Sequence, residues 1–278
     1  MNKKTMILTS FLMILGVVFY SCEKETDGPS TDDVQLAIDD AIVTAAFDDL
    51  STFVTEAESD YQTKSAVISD DKCYDDTVFI DGNVLKVIID FHDGCTDLWG
   101  NTRKGKIVAT FTKFYRQEGY THTITLEDYY INDYQVEGMK TVTNTGENED
   151  GNIEFSVTIS DGKLTTPEGV EITRESTRTR EWIEGESTMN VWDDKYEITG
   201  EATGINFKGN EYTRTITQSL VISASCRFPL SGVIESQDEE GSIVTLDYGA
   251  GDCDNKATVT KDGISKEILL RMKRRGLK

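Results

Sequence analysis

The chain has 278 residues, of which 50 are acidic and 28 are basic, so its formal net charge is −22 at pH 7. A protein this acidic is not expected to bind nucleic acid or anionic lipid headgroups, because both of those partners are negatively charged. A chain of this length is long enough for one large hydrophobic core or for two small ones.

The first feature in chain order is a basic and then apolar segment that ends in a cysteine. The apolar run 6–20 follows two lysines, and Ser21 is the small residue before Cys22. This order is typical of a secretory signal peptide, residues 1–21, that ends at a lipid-attachment site. An uncleaved membrane anchor is the alternative, but the run is shorter than the roughly 20 residues that a spanning helix needs. We therefore expect contact with a membrane through lipid at Cys22, with residues 22–30 as a tether.

One long helix is predicted for residues 31–61. Ser30 and Thr31 are both suitable N-cap residues, and acidic residues follow in the first turn, where the helix dipole favours them. Apolar residues then recur at steps of three and four, and a second apolar face near the start indicates that this end is covered on two sides. An interfacial membrane helix is the alternative, but its polar face would be acidic, whereas an anionic membrane favours Lys and Arg.

Residues 62–278 change to a pattern of period two that predicts β-strands. Apolar residues alternate with polar ones over 85–91 and 244–248, and Asp-Gly turn signals separate such runs. The whole chain has only three prolines, which suits long antiparallel strands. We expect a mainly β fold in which a long antiparallel sheet curls into a barrel or half-barrel, with the N-terminal α-helix packed on it. A β-sandwich is the alternative.

Four cysteines remain when Cys22 is set aside, and an even number in an exported protein indicates two disulfides with three possible connectivities. The four are Cys73, Cys95, Cys226 and Cys253. Spacing favours Cys73–Cys95 and Cys226–Cys253. Each enclosed segment is predicted as strand, turn, strand, which returns its ends to roughly the 5.5 Å Cα separation that a disulfide prefers.

Two internal similarities suggest a duplicated β-module. Residues 87–97 resemble residues 244–254, and a weaker similarity pairs residues 134–138 with residues 196–200. The alternative is that any two disulfide-closed hairpins with Asp-Gly turns look alike, and both interpretations stay open.

The same region resembles a known group of proteins. Ile88-Ile89-Asp90-Phe91, then Gly94-Cys95, then Thr102–Ile107 resemble uncharacterised Bacteroidetes cell-envelope lipoproteins, in which an Asp-aromatic-Gly-Cys stretch precedes an Arg-x-Gly-Lys-Ile strand start. The resemblance extends over most of the mature chain, including Trp182 and Trp192-Asp193-Asp194. It implies an outer membrane lipoprotein, at the periplasmic face or the cell surface, with a β-rich body. It implies no activity.

No catalytic residue is indicated by a motif. The two histidines, His92 and His122, lie outside any nucleophile motif and are too few for a three-histidine zinc site. Paired carboxylates that cleave glycans are the enzymatic alternative, but with 50 acidic residues no particular pair is indicated.

No cofactor is expected, and calcium is the alternative. Hard oxygen ligands near a rigid disulfide suit Ca²⁺, although no EF-hand spacing occurs and Asp is a common turn residue. The acidic residues near the cysteines are Asp70, Asp71, Asp75, Asp76, Asp93, Asp97, Asp252 and Asp254.

One predicted strand carries the candidate binding residues Arg174, Arg178, Arg180 and Trp182, which share a face if residues 170–183 are extended. Such a face suits a sugar or an anion, with Trp stacking and Arg donating paired hydrogen bonds. The alternative, which the acidity of the chain favours, is pairing with acids on neighbouring strands. The function we expect is a lipid-anchored envelope protein of non-enzymatic binding or structural type, whose partner is a glycan or another envelope protein. A carboxylate-dependent glycan hydrolase is the alternative.

Overall fold

The computed structural model describes residues 28–63, 72–82, 84–97, 100–112 and 114–270. The predicted signal peptide, Cys22 and most of the tether lie outside these residues. Over the described ranges, no helix combines the length and the apolar character needed to cross a membrane.

The predicted helix forms, and it is nearly enclosed. Helix α1 spans Thr31–Thr63. Ser30 Oγ accepts a hydrogen bond from the Asp33 backbone N–H (3.2 Å), and the Asp33 carboxylate accepts one from the Ser30 N–H (2.8 Å), so the two residues cap the helix reciprocally. Every residue from Ala41 to Phe47 is buried. Cover on two sides is therefore confirmed and extends to all sides in the middle of the helix.

The rest of the described chain is almost entirely β-strand. The strands are β1 Asp75–Asp81, β2 Val84–Asp90, β3 Cys95–Thr96, β4 Thr102–Phe111, β5 Thr121–Ile131, β6 Tyr134–Glu147, β7 Ile153–Thr165, β8 Glu171–Glu184, β9 Lys195–Ile205, β10 Glu211–Ser223, β11 Ser231–Asp238, β12 Ile243–Ala250, β13 Lys256–Lys261 and β14 Ile264–Leu269. A short 3-10 turn, Val191–Asp193, lies between β8 and β9.

All fourteen strands belong to one antiparallel sheet with a simple up-and-down order. Sequence neighbours are hydrogen-bonded along the path from β1 to β14, except that the two-residue strand β3 pairs with β4 beside this path. Strands β1 and β14 form the two ends of the path, so the sheet is open. The mainly β fold is thus confirmed as a curled single sheet, and the two-sheet sandwich is not adopted.

Helix α1 lies inside the curl of the sheet. It contacts β1, β2 and β5 near one end of the strand order and β12 and β13 near the other, which requires the sheet to bend around it. In β8 the exposed and buried positions alternate along most of the strand, and the buried side chains face the helix. The core is therefore the space between one helix and one concave sheet face.

Glycines at irregular positions help the long strands to bend. Gly138 in β6 and Gly200 in β9 have φ values of 120° and 131°. Each lies where the pairing with a neighbouring strand shifts register. A Cβ at Gly200 would lie 2.4 Å from the Thr177 carbonyl oxygen, so a side chain does not fit there. Such bulges increase strand bending and twist. The two glycines also end the two weakly similar segments of the sequence, although the duplication itself stays a prediction.

Two disulfides close two hairpins near the ends of the sheet. Cys73 is bonded to Cys95 with a Cα separation of 5.6 Å, and Cys226 is bonded to Cys253 with a Cα separation of 5.8 Å. This is the pairing that the spacing favours.

Candidate functional site

The candidate binding residues on β8 do share one face, and that face points inward. Arg174, Arg178, Arg180 and Trp182 are between 2% and 7% exposed. The alternation of β8 places all four beneath helix α1. None of them is therefore presented to a ligand at the outer surface of the sheet.

Two of these arginines are paired with acids, but the acids come from the helix. Arg178 donates two hydrogen bonds to Asp48, from Nη2 at 2.6 Å and from Nη1 at 3.1 Å. Arg174 donates to Asp40, and Arg214 of β10 lies 2.9 Å from the other oxygen of that carboxylate. Pairing with acids is therefore the correct alternative for Arg174 and Arg178, but the acids lie on helix α1 and not on neighbouring strands.

A cavity of about 100 Å³ lies between the middle of α1, the start of β4 and the loop that joins β10 to β11. It has room for several water molecules or for a small organic group. Its walls carry equal numbers of basic and acidic residues. They are Arg103, Arg180, Arg227, Asp48, Asp49 and Asp194.

One wall of the cavity is a chain of hydrogen bonds that starts at Arg180. Arg180 Nη2 donates to the Tyr115 hydroxyl at 2.8 Å, which lies 3.0 Å from the Tyr196 hydroxyl. Tyr196 donates to Asp194 Oδ2 at 3.0 Å, so Tyr115 is left to donate to Tyr196. The guanidinium of Arg180 also lies 4.8 Å from the ring centre of Phe155, a distance that permits a cation–π contact. These contacts fix the orientation of Arg180 without giving it a carboxylate partner.

Asp194 stands at the other end of that chain. It is 3% exposed, and its Oδ1 atom has no hydrogen-bond partner within the described residues. Burial raises the pKa of Asp194 to about 6, although the hydrogen bond from Tyr196 opposes the rise.

A second wall is built around Arg103 of β4. Its Nε donates to Asp97 at 2.8 Å, while Nη1 donates to the Tyr129 hydroxyl and Nη2 to Asp49. Burial raises the pKa of the Asp49 carboxyl even though Arg103 lies against it. All three nitrogens of Arg103 are therefore engaged by protein groups, whereas Nε of Arg180 has no partner among the described residues.

The described residues do not assemble a metal centre. Among them, no three His, Cys, Asp or Glu side chains are grouped so that they could hold a metal ion. Asp70 and Asp71 of the calcium hypothesis lie outside the described ranges.

The sequence interpretation missed Arg103, Asp49 and the cavity as a site. One signal pointed to a polar interior: Asp40, Thr44 and Asp48 recur at steps of four, which places them on one face of α1. The partners of that face lie far away along the chain, so the spacing alone could not identify them.

Residues 116–226 match the model of a protein family described as Mycobacterium 19 kDa lipoprotein antigen. The match runs from the loop before β5 to the loop after β10 and includes Arg180, Tyr196 and Asp194. It covers less than half of the chain, and it supports a lipid-anchored cell-envelope protein without indicating a ligand. No curated protein and no solved structure matches the chain.

Proposed function

We propose that this chain is a non-enzymatic, lipid-anchored binding protein of the cell envelope, and that its cavity holds a small ligand. The observation that supports this proposal most directly is the environment of Arg180. Its guanidinium lines the cavity, is 7% exposed, and leaves Nε without a partner among the residues described. An unsatisfied hydrogen-bond donor on a buried side chain is costly, so a ligand that occupies the cavity and accepts a hydrogen bond from Arg180 would be stabilised. We assign the protein to the outer membrane, at the periplasmic face or the cell surface.

The anchor and the cavity would lie at different levels of the molecule. The start of α1 is held by Lys261, whose Nζ is 2.9 Å from Asp33 Oδ1, and the predicted lipid at Cys22 connects to this end. The cavity is lined by α1 residues from Thr44 to Thr55. At the helical rise of 1.5 Å per residue, the cavity begins about 20 Å along the helix from its start. This separation would keep the cavity clear of the membrane surface.

The anchor is tested by replacing Cys22. We expect Cys22→Ala to abolish incorporation of an alkyne-labelled fatty acid and to release the protein from the membrane fraction. Ser21→Ala is the matched control, since it keeps a small residue before the cysteine and should be labelled like the wild type. Labelling and membrane retention of the Cys22→Ala variant would contradict the proposal.

Binding is tested by blocking the cavity. Thermal unfolding of the full chain would be followed with panels of monosaccharides, amino acids and small carboxylates. We expect at least one panel to raise the melting temperature of the wild type, and Ala224→Leu, which adds volume to the cavity lining, to abolish the shift. Ala250→Leu is the matched control, because Ala250 is exposed on β12. A wild-type melting temperature that no panel changes would contradict binding and favour a structural role.

Glycan hydrolysis by carboxylates is a second candidate function that one observation favours. Asp194 lines the cavity with a pKa raised by burial to about 6, which suits a general acid. We expect Asp194→Asn to abolish any release of reducing sugar from polysaccharides by the wild type, whereas Asp193→Asn, at an exposed neighbour, should not. Absence of release by the wild type would rule this candidate out.

A further inference from the structure

Four residues that line the cavity each have a buried polar side-chain atom without a hydrogen-bond partner among the described residues, and these atoms include both donors and acceptors. Within the described part of the chain, Asp49 Oδ1 and Asp194 Oδ1 accept no hydrogen bond, and Arg180 Nε donates none. Ser51 Oγ, which can do either, is also without a partner. A ligand that satisfies this set must therefore both donate and accept hydrogen bonds.

The charged residues that line the cavity indicate the charge of the ligand. Three arginines face three aspartates, so the lining carries no formal excess of either sign when all six are ionised. An anion would be attracted by Arg180 but repelled by Asp49 and Asp194, and a cation would meet the reverse situation. A neutral group avoids both penalties.

The remaining lining supplies apolar surface. Tyr115, Tyr196 and Phe228 line the cavity together with Pro229 and Ile222. A mainly apolar wall with a few convergent polar groups is the usual composition of a small-molecule site. Here the wall is aromatic on the side of Arg180, where both tyrosines also belong to the hydrogen-bond chain.

We infer that the cavity binds a neutral polyhydroxylated ligand, a sugar ring, whose hydroxyls donate to Asp49 and Asp194 and accept from Arg180 while its carbon face lies against the aromatic side chains. This inference rests on the proposed binding function and names its ligand class. It also moves the predicted sugar contact from an exposed strand face to the interior, with Arg180 as the residue that both locations share.

The test is isothermal titration calorimetry of the full chain in detergent with D-glucose, D-galactose, D-mannose and N-acetylglucosamine. Parallel titrations with L-serine and succinate provide a zwitterion and an anion. We expect saturable binding of at least one sugar, weakened about tenfold or more by Arg180→Gln and by Asp194→Asn, because each change removes a charged hydrogen-bond partner. Asp194→Asn keeps the side-chain shape and serves as the second variant if Arg180→Gln does not fold.

Arg174→Gln is the matched control. Arg174 lies on the same face of β8 as Arg180 but is paired with Asp40, and neither Arg174 nor Asp40 lines the cavity, so its replacement should lower stability and leave sugar affinity within about twofold of the wild type. Binding of L-serine or succinate without any sugar would overturn the sugar assignment and leave the binding function standing. Sugar binding that neither Arg180→Gln nor Asp194→Asn weakens would overturn the site. No binding of any probe would overturn both proposals.

Discussion

Arg178 of β8 and Asp48 of α1 form a two-bond ion pair that fastens the helix to the concave face of the sheet, with Nη2–Oδ1 at 2.6 Å and Nη1–Oδ2 at 3.1 Å. Lys140 of β6 lies 3.7 Å from the same Oδ1 atom. Burial alone would raise the pKa of Asp48, but Arg178 and Lys140 hold it well below its usual range. One helix carboxylate therefore contacts basic side chains from two strands.

Replacing Asp48 should weaken the attachment of helix α1 to the sheet. Asp48→Asn leaves Arg178 and Lys140 buried without a counter-charge, and we expect the free energy of unfolding to fall by about 3 kcal/mol. Asp32→Asn is the control, since Asp32 pairs with Lys208 at the exposed start of the helix and should cost less than about 1 kcal/mol. Urea denaturation measures both values. Equal losses in the two variants would show that the Asp48 pair contributes no more than a surface pair.

Glu58 should make stability depend on pH. Its Oε1 accepts hydrogen bonds from the Tyr115 backbone N–H and from Gln62, each at 2.9 Å, and burial raises its pKa from 4.5 to about 7. Because the folded pKa lies above the unfolded one, the folded state binds more protons between these values. The stabilising contribution is therefore present below about pH 4.5 and is lost as the pH rises through 7.

The measurement is denaturation of the wild type and Glu58→Gln at pH 4 and pH 8. We expect the stability of the variant relative to the wild type to improve by about 3 kcal/mol between these conditions, the equivalent of the shift in pKa. Glu186→Gln, in the turn after β8, is exposed and should parallel the wild type at both values. A Glu58→Gln variant that also parallels the wild type would contradict the raised pKa of Glu58.

The bulge at Gly200 should tolerate no side chain. Gly200→Ala would place Cβ 2.4 Å from the Thr177 carbonyl oxygen at a φ of 131°, and we expect a loss of about 3 kcal/mol. Gly151 in the turn between β6 and β7 also has positive φ, at 84°, but nothing lies within 4 Å of its added Cβ. Gly151→Ala should therefore cost only the conformational penalty of about 1 kcal/mol. Thermal denaturation of both variants tests the difference, which vanishes if the close contact at Gly200 is relieved without strain.

The helix and the strands could be predicted from the sequence because the signals for them are local. Alternation of period two identified strands such as β2 and β12, and the N-cap at Ser30 located the start of α1. The curl was harder, because it depends on register shifts at glycines such as Gly138, whose partners lie on other strands. What could be predicted was therefore one long antiparallel sheet with a helix on it, with barrel and sandwich both open.

The site could be predicted only in part, because β8 reverses the usual rule for buried positions. Its inward residues include Arg174, Arg178 and Arg180, which a pattern of apolar-in and polar-out places at the surface. Arg174 and Arg178 are buried because Asp40 and Asp48 pair with them from α1, and Arg178 and Asp48 are separated by 130 residues. No local pattern carries that information.

The two disulfides should differ in the part of the structure that each one stabilises locally. In the chain-entropy model each closes a loop worth about 3–4 kcal/mol, so Cys73→Ser/Cys95→Ser and Cys226→Ser/Cys253→Ser should lose similar stability. Of the four disulfide-bonded cysteines, Cys226 lines the cavity, and its N–H donates to the Ser223 carbonyl at 3.0 Å while the Ala224 N–H donates to the Asp194 carbonyl at 3.1 Å.

We therefore expect the amides of Ala224 and Cys226 to exchange with solvent at least about tenfold faster when Cys226 and Cys253 are replaced, since local opening is governed by the contacts that hold the segment. When Cys73 and Cys95 are replaced, the exchange rates of these amides should change only as much as the loss of global stability requires. Hydrogen exchange under native conditions measures both variants. Equal protection of the loop in the two variants would mean that the hydrogen bonds of Ala224 and Cys226 hold this wall of the cavity without the Cys226–Cys253 bond.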